Sequence, residues 1–136
     1  MQLDPSAFVA DSELIQALTE RATPILCGTD RLLFRQGEPP DGLYILHKGE
    51  VTLSMTGLAG DSILSLQVSS GSLLGLPGLV GNQPFSLSAV ARAGAEVSFL
   101  TREDFTVLMQ AHPLLSFKIV QVLAAEVSSA RRAITS

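Results

Sequence analysis

The chain has a single cysteine, Cys27, no tryptophan and one tyrosine. One thiol closes no intrachain disulfide, which excludes a stapled extracellular scaffold and makes a reducing cytoplasm the expected compartment. Basic residues are also scarce. Nine Lys and Arg stand against thirteen Asp and Glu, a net charge of -4, so no positive field draws the chain onto a phosphate backbone and no direct nucleic-acid contact is expected. The two histidines, His47 and His112, lie far apart and make neither an H-x-H nor an H-E-x-x-H spacing, which leaves a metal site without its usual ligand set. Both are expected at the surface. No uninterrupted apolar run approaches the roughly 18 residues of a membrane span, and the opening MQLDPSAFVADSEL has acids where a signal peptide has a basic start and an apolar stretch. No membrane attachment is expected.

The residues that are present describe one folding unit. At 136 residues with 46% hydrophobic and 16% charged side chains, the chain is one domain's worth, and a two-domain architecture is not expected. One domain over 1–136 is the expected organisation. Leu14, Ile15, Leu18 and Ala22 recur at helical spacing behind Asp11 and Ser12, either of which can cap a first turn, and predict a helix over 12–22. Over 24–100 the period changes to two. Leu32 and Phe34, Leu43 and Ile45, then Val51, Leu53 and Met55 alternate with residues of the opposite face. Gly37–Gly42, Lys48–Gly49 and Gly57–Asp61 break the runs with turn residues. Leu64, Leu66 and Val68 continue the pattern, as do Leu87, Ala89, Ala91 and Ala93, and Val97 and Phe99 close it. Thr101 to Asp104 then reads as a capping box, predicting a helix over 102–112, and Pro113 suits the first position of a longer helix over 113–134. Many short antiparallel strands with helices gathered at the ends predict a small β-barrel or jelly roll.

Two segments carry a resemblance. Phe34 to Val51, punctuated by Gly37, Gly42 and Gly49, resembles the first half of cyclic-nucleotide-binding domains, and Leu74 to Ala91 is similar to that family's phosphate-binding cassette. The likeness extends over nearly the whole chain and points to the sensor half of catabolite-activator-type bacterial regulators. It implies a mainly β, double-stranded β-helix (jelly-roll) barrel with a short N-terminal helix and two C-terminal helices, the last one dimerising. It also implies a ligand site at Gly75, Leu76, Pro77, Gly78, Phe85, Ser86 and Leu87. The glycines suit close backbone approach to an anion, or they simply turn a barrel corner.

In the family a glutamate after the first glycine binds the ribose hydroxyl and an arginine pairs with the cyclic phosphate; here Leu76 and Phe85 stand at those places. Leu76 accepts no hydrogen bond and Phe85 supplies none of arginine's five donors. Together the losses amount to roughly 3–6 kcal/mol, or about two to four decades of affinity. A remodelled pocket is expected, with Phe85 either filling it as core or leaving room for an apolar ligand. Arg92 lies on the order of 20 Å along the strand from the cassette and is not expected to substitute. A true nucleotide receptor using Ser86 and backbone amides is the first alternative, and a metal-dependent cupin-type enzyme is the second.

The last helix places Val120, Leu123, Val127, Ala130 and Ile134 at steps of three and four, the seam expected to pair with a second copy, and Leu115, Ile119 and Val122 on a second stripe expected to dock on the barrel. Arg131 and Arg132 read as a solvated helix terminus favoured by the helix dipole. Cys27 reads as a small buried hydrophobe on a strand. No cofactor and no catalytic group are expected. The functional expectation is a non-enzymatic regulatory or sensor module, homodimeric, answering to a small-molecule effector or a protein partner. Since the chain stops at Ser136, no helix-turn-helix is expected within it, which is the pattern of an excised sensor domain or of a protein acting through a partner.

Overall fold

The computed structural model describes residues 3–135. A short 3-10 turn at Pro5–Phe8 precedes helix α1 (Ser12–Thr19). Asp11 is the cap: its carboxylate accepts from the Leu14 amide at 2.8 Å and pairs with Lys118 far along the chain. The helix ends three residues earlier than its periodicity predicts. Arg21 and Ala22 turn back by amide bonds to Leu18 and Thr19, because the first strand begins at Thr23 and the residue before Pro24 is biased toward extended backbone.

Eight strands follow: β1 (Thr23–Ile25), β2 (Arg31–Phe34), β3 (Gly42–Lys48), β4 (Val51–Thr56), β5 (Ser62–Val68), β6 (Ser72–Leu74), β7 (Ser88–Ala91) and β8 (Glu96–Thr101). They form two antiparallel four-stranded sheets, in the orders β1-β8-β3-β6 and β2-β7-β4-β5, so every consecutive pair of strands except the β4–β5 hairpin crosses between sheets, as in a jelly roll. The mainly β fold expected from the sequence is the one observed. Strands β1 and β6 have no counterpart in the pattern reading, since three residues display no period; Ser72, Leu73 and Leu74 are all buried. Strand β7 is shorter than expected at both ends, with Leu87 and Ala93 outside it.

Strands β3 and β6 of the first sheet are buried on both sides. Leu43 and Ile45 of β3 pack beneath the helices with Leu14, Leu18, Leu73 and Leu100, whereas Leu46 joins Val51, Leu53, Val68 and Val97 between the sheets. That accounts for the run Leu43-Tyr44-Ile45-Leu46, which alternation alone does not produce. Cys27 is buried as expected, though in the loop after β1 rather than on a strand.

Three helices complete the chain: α2 (Leu76–Gly81) between β6 and β7, then α3 (Arg102–Ala111) and α4 (Pro113–Thr135). Thr101 caps α3 through the Asp104 amide at 3.1 Å. Helix α4 buries Leu115, Ile119, Val122, Ser129 and Ala133 against its own domain. By length and composition Pro113–Ile134 is also apolar enough to cross a membrane; its apolar residues fall on two faces, one packed on the barrel and one turned outward.

Lys118 makes the tie between α1 and α4 reciprocal. Its hydrogen bond is the larger cause, and the Leu14 amide the next, that hold the Asp11 carboxyl below its ordinary value. Asp11→Ala is expected to lower unfolding stability by about 1–2 kcal/mol at neutral pH, the usual cost of losing a side-chain cap, as read by urea denaturation. A depressed carboxyl contributes stability above its unfolded pKa and loses it as pH falls through the folded value, so the gap between wild type and variant should close in acid below pH 3.8.

Candidate functional site

The cassette begins at Gly75, which caps α2 in the left-handed region at φ 85°. A side chain is doubly excluded there, because a Cβ would stand 2.8 Å from the Phe85 ring. At Gly78 a Cβ would meet the Gln83 carbonyl at 2.9 Å. These glycines allow α2 to lie close over the segment that returns to β7. Phe85 is pinned in that segment by two backbone bonds, its amide to the Glu38 carbonyl at 3.0 Å and its carbonyl from the Gly37 amide at 2.8 Å. Its ring is buried and stacks on Phe34 with centroids 4.0 Å apart.

Phe85 does not fill the space beneath α2. A cavity of about 390 Å³ lies between the barrel and α4. Phe34, Leu53, Met55, Leu64 and Leu74 form its barrel wall, and Gly75, Pro77 and Gly78 its edge on the cassette. Phe85, Ser86 and Leu87 continue that edge, with Ser86 exposed. Leu3 and Phe8 close one side from the N-terminal segment, which is tied down by the Asp4 amide donating to Ser129 Oγ at 2.7 Å. Helix α4 supplies Glu126, Val127, Ser129, Ala130 and Ile134.

The structure thus gathers Gly75, Pro77, Gly78, Phe85, Ser86 and Leu87 around one cavity, and leaves Leu76 out of it. Leu76 is fully buried in the other core, with Leu14, Leu79 and Leu100. At the first position of α2 its side chain points away from the segment that Gly75 and Gly78 face. Arg92 is likewise elsewhere, paired with Asp30 at 3.0 Å. Among the described residues no Lys, Arg or His lines the cavity.

The outer face of α4 differs from the seam read in the sequence. Phe117, Val120, Val127 and Ile134 are 59%, 56%, 52% and 71% exposed, the last two also edging the cavity, and Ala124 is exposed between them. Leu123 instead packs half-buried against its own core, and Ala130 is half-buried at the cavity. Helical drift explains the change: with Leu115, Ile119 and Val122 inward, the residues on the far side are Phe117, Val120, Ala124 and Val127.

Glu126 was passed over in the sequence, although a signal for it exists. It continues the inward stripe of Leu115, Ile119 and Val122 at the next step of four, where a carboxyl is out of place. In the structure its Oε2 is buried without a hydrogen-bond partner. Burial alone pushes its pKa up to about 8.

The histidines make no metal site. His47 is half-buried rather than at the surface, its Nε2 2.9 Å from Ser98 Oγ, while His112 is exposed between α3 and α4. No group of three His, Cys, Asp or Glu among the described residues is placed to hold an ion.

The two four-stranded sheets, the glycine-capped cassette helix and the long C-terminal helix over the cavity together define a mainly β jelly roll of the cyclic-nucleotide-binding type. Residues 28–112 match the cyclic nucleotide-binding domain family, and the chain belongs to that family. It is 33% identical over 92 residues to a cyclic AMP receptor protein of Thermus thermophilus, an alignment that spans 68% of this chain and 43% of that protein. The crystal structure of the Thermus thermophilus catabolite activator protein superposes with a TM-score of 0.80 at 26% identity, covering 97% of this chain and 62% of that one. The c-di-GMP responsive global regulator of Xanthomonas campestris shares the fold, with a TM-score of 0.72 at 21% identity over 90% of this chain and 63% of its own. The chain therefore spans less than two thirds of the length of these regulators.

Proposed function

We propose that this chain is a non-enzymatic sensor module of a cytoplasmic regulator, whose cavity takes a small, mostly apolar effector and does not bind cAMP or cGMP tightly. The observation that carries the reading is the composition of the cavity wall. A cyclic phosphate entering it loses its water and meets no cation among the described residues, but one carboxyl, that of Glu126. Gly75, Pro77, Gly78, Phe85, Ser86 and Leu87 form the ligand edge in this reading, and Leu76 supports it from the core behind. The outer face of α4 pairs two copies, and ligand occupancy under α4 is what the pair reports, either to a further part of a longer chain or to a protein partner.

Backbone recognition of a nucleotide is the rival, favoured by the identity to a cyclic AMP receptor protein. Isothermal titration calorimetry separates the two. No saturable binding of cAMP or cGMP is expected below about 1 mM, which corresponds to about 4 kcal/mol of affinity. Micromolar binding would overturn the apolar reading.

A further inference from the structure

The cavity wall is mostly apolar, and at one place in it the fold leaves a polar group unsatisfied. Glu126 stands in its wall on α4, one oxygen buried and without a partner. A buried polar atom of this kind costs stability unless something pairs with it, and nothing in the wall does. The other polar side chains there are Ser86 and Ser129, and the Ser129 hydroxyl already accepts from the Asp4 amide.

We propose that Glu126, as a neutral acid, donates its hydrogen bond to a carbonyl-type acceptor on an uncharged, otherwise apolar effector bound under α4. This rests on the sensor reading above and names the chemistry of its ligand. Three ligand classes compete for such a wall, and physical cost separates them. An anion meets no cation and a carboxyl that repels it once ionised. An ammonium ion must shed its water and also force Glu126 to ionise in apolar surroundings, and the resulting pair seldom repays both desolvation costs. A ketone, ester or amide carbonyl needs only the one O–H that Glu126 already carries, and its apolar remainder meets Leu53, Met55 and Leu74. The cavity, at about 390 Å³, lies within the size range of small-molecule sites.

The protonated form is available at neutral pH because burial holds the proton on to about 8. The barrel, α2 and the N-terminal segment put no titratable side chain into the wall, and α4 puts only Glu126 there among the described residues. Asp4, next to Ser129, has its own partners in Ser6 and Arg132. Ligand binding that requires the proton must weaken as pH rises through the titration of Glu126.

Prodan, a neutral naphthyl ketone whose emission reports hydrogen bonding at its carbonyl, is a suitable probe, with the same naphthylamine lacking the acyl group as comparator. Fluorescence titration of the 136-residue chain is expected to show saturable prodan binding at pH 6.5 that weakens more than about tenfold by pH 9.5. Glu126→Gln keeps a donor at every pH, so its affinity should stay within about threefold of the wild-type value at pH 6.5 and be independent of pH. Glu126→Leu should bind about tenfold more weakly, matching the loss of a hydrogen bond of roughly 1.4 kcal/mol. The acyl-free comparator should bind all three proteins alike. Ala130→Phe, which puts a ring into the cavity from α4, should abolish binding.

Saturable prodan binding that is flat in pH, or as tight in Glu126→Leu as in wild type, would overturn the role of Glu126 while leaving an apolar effector site standing. Absence of saturable binding by prodan and comparator alike, or binding that survives Ala130→Phe, would overturn the cavity as the ligand site and the sensor reading with it.

Discussion

Glu126→Gln is expected to make the protein more stable than wild type, by a margin that depends steeply on pH. In the unfolded chain the Glu126 carboxyl loses its proton near pH 4.5, whereas in the fold burial holds the proton on to about 8. Between those values the folded state binds more protons than the unfolded state, so stability falls as pH rises. The slope from this one group is about 1.4 kcal/mol per pH unit. Chemical denaturation of both proteins from pH 4 to 9 should show the gap between variant and wild type widening through that window. The pH-dependent part of the gap should level above pH 8 at about 4–5 kcal/mol, a large share of a small domain's stability. The glutamine amide carries no charge, so its own burial adds an offset that does not vary with pH. A gap that stays constant would mean that the carboxyl reaches water when ionised.

Exchanging Val120 and Ala124 together for Glu is expected to separate a dimer into folded monomers. Both side chains lie on the outer face of α4, and Phe117, Val127 and Ile134 extend that face above and below them. An apolar stripe of that length is a liability on an isolated domain and suits a helix paired with its own copy. In a symmetric pair each exchange is counted twice. Each exchange, summed over both copies, costs about 2 kcal/mol, and the two together weaken association roughly a thousandfold. Light scattering coupled to size exclusion at tens of micromolar should give a dimer for the wild type and a mass near 14.4 kDa for the variant. Leu123→Glu is the informative control. Because Leu123 packs on its own core, that exchange should lower the melting temperature instead of specifically dissolving the pair. A wild-type monomer, or a dimer indifferent to the paired exchange, would remove α4 as the interface.

Much of the barrel was legible without coordinates because its strands are long enough to show a period. Val51, Leu53 and Met55 on β4, and Leu64, Leu66 and Val68 on β5, alternate because one face of each strand meets the core. The cassette was legible for a different reason. Gly75 and Gly78 stand where the backbone admits no Cβ, and such positions leave a mark in the residue type itself. Strands β1 and β6, three residues each, leave no such mark and were found only in the fold.

The sequence by itself determined the jelly roll, the glycine-capped cassette and the absence of arginine from the family's phosphate position. What only the tertiary structure decided is where those side chains go. Leu76 and Phe85 are neighbours in one cassette, yet a helix start turns the first into the core under α1 and α3 while the segment leading back to β7 lays the second against Phe34. The two faces of α4 likewise depend on a rotation that no spacing of apolar residues sets, since Leu123 and Ala124 are adjacent and either can complete a seam. Packing on the barrel chooses Ala124 for the outside and carries Glu126 over the cavity. A carboxyl is only a charge in a sequence; closed under an apolar helix face with one oxygen unpaired, it is pushed toward its neutral form by burial.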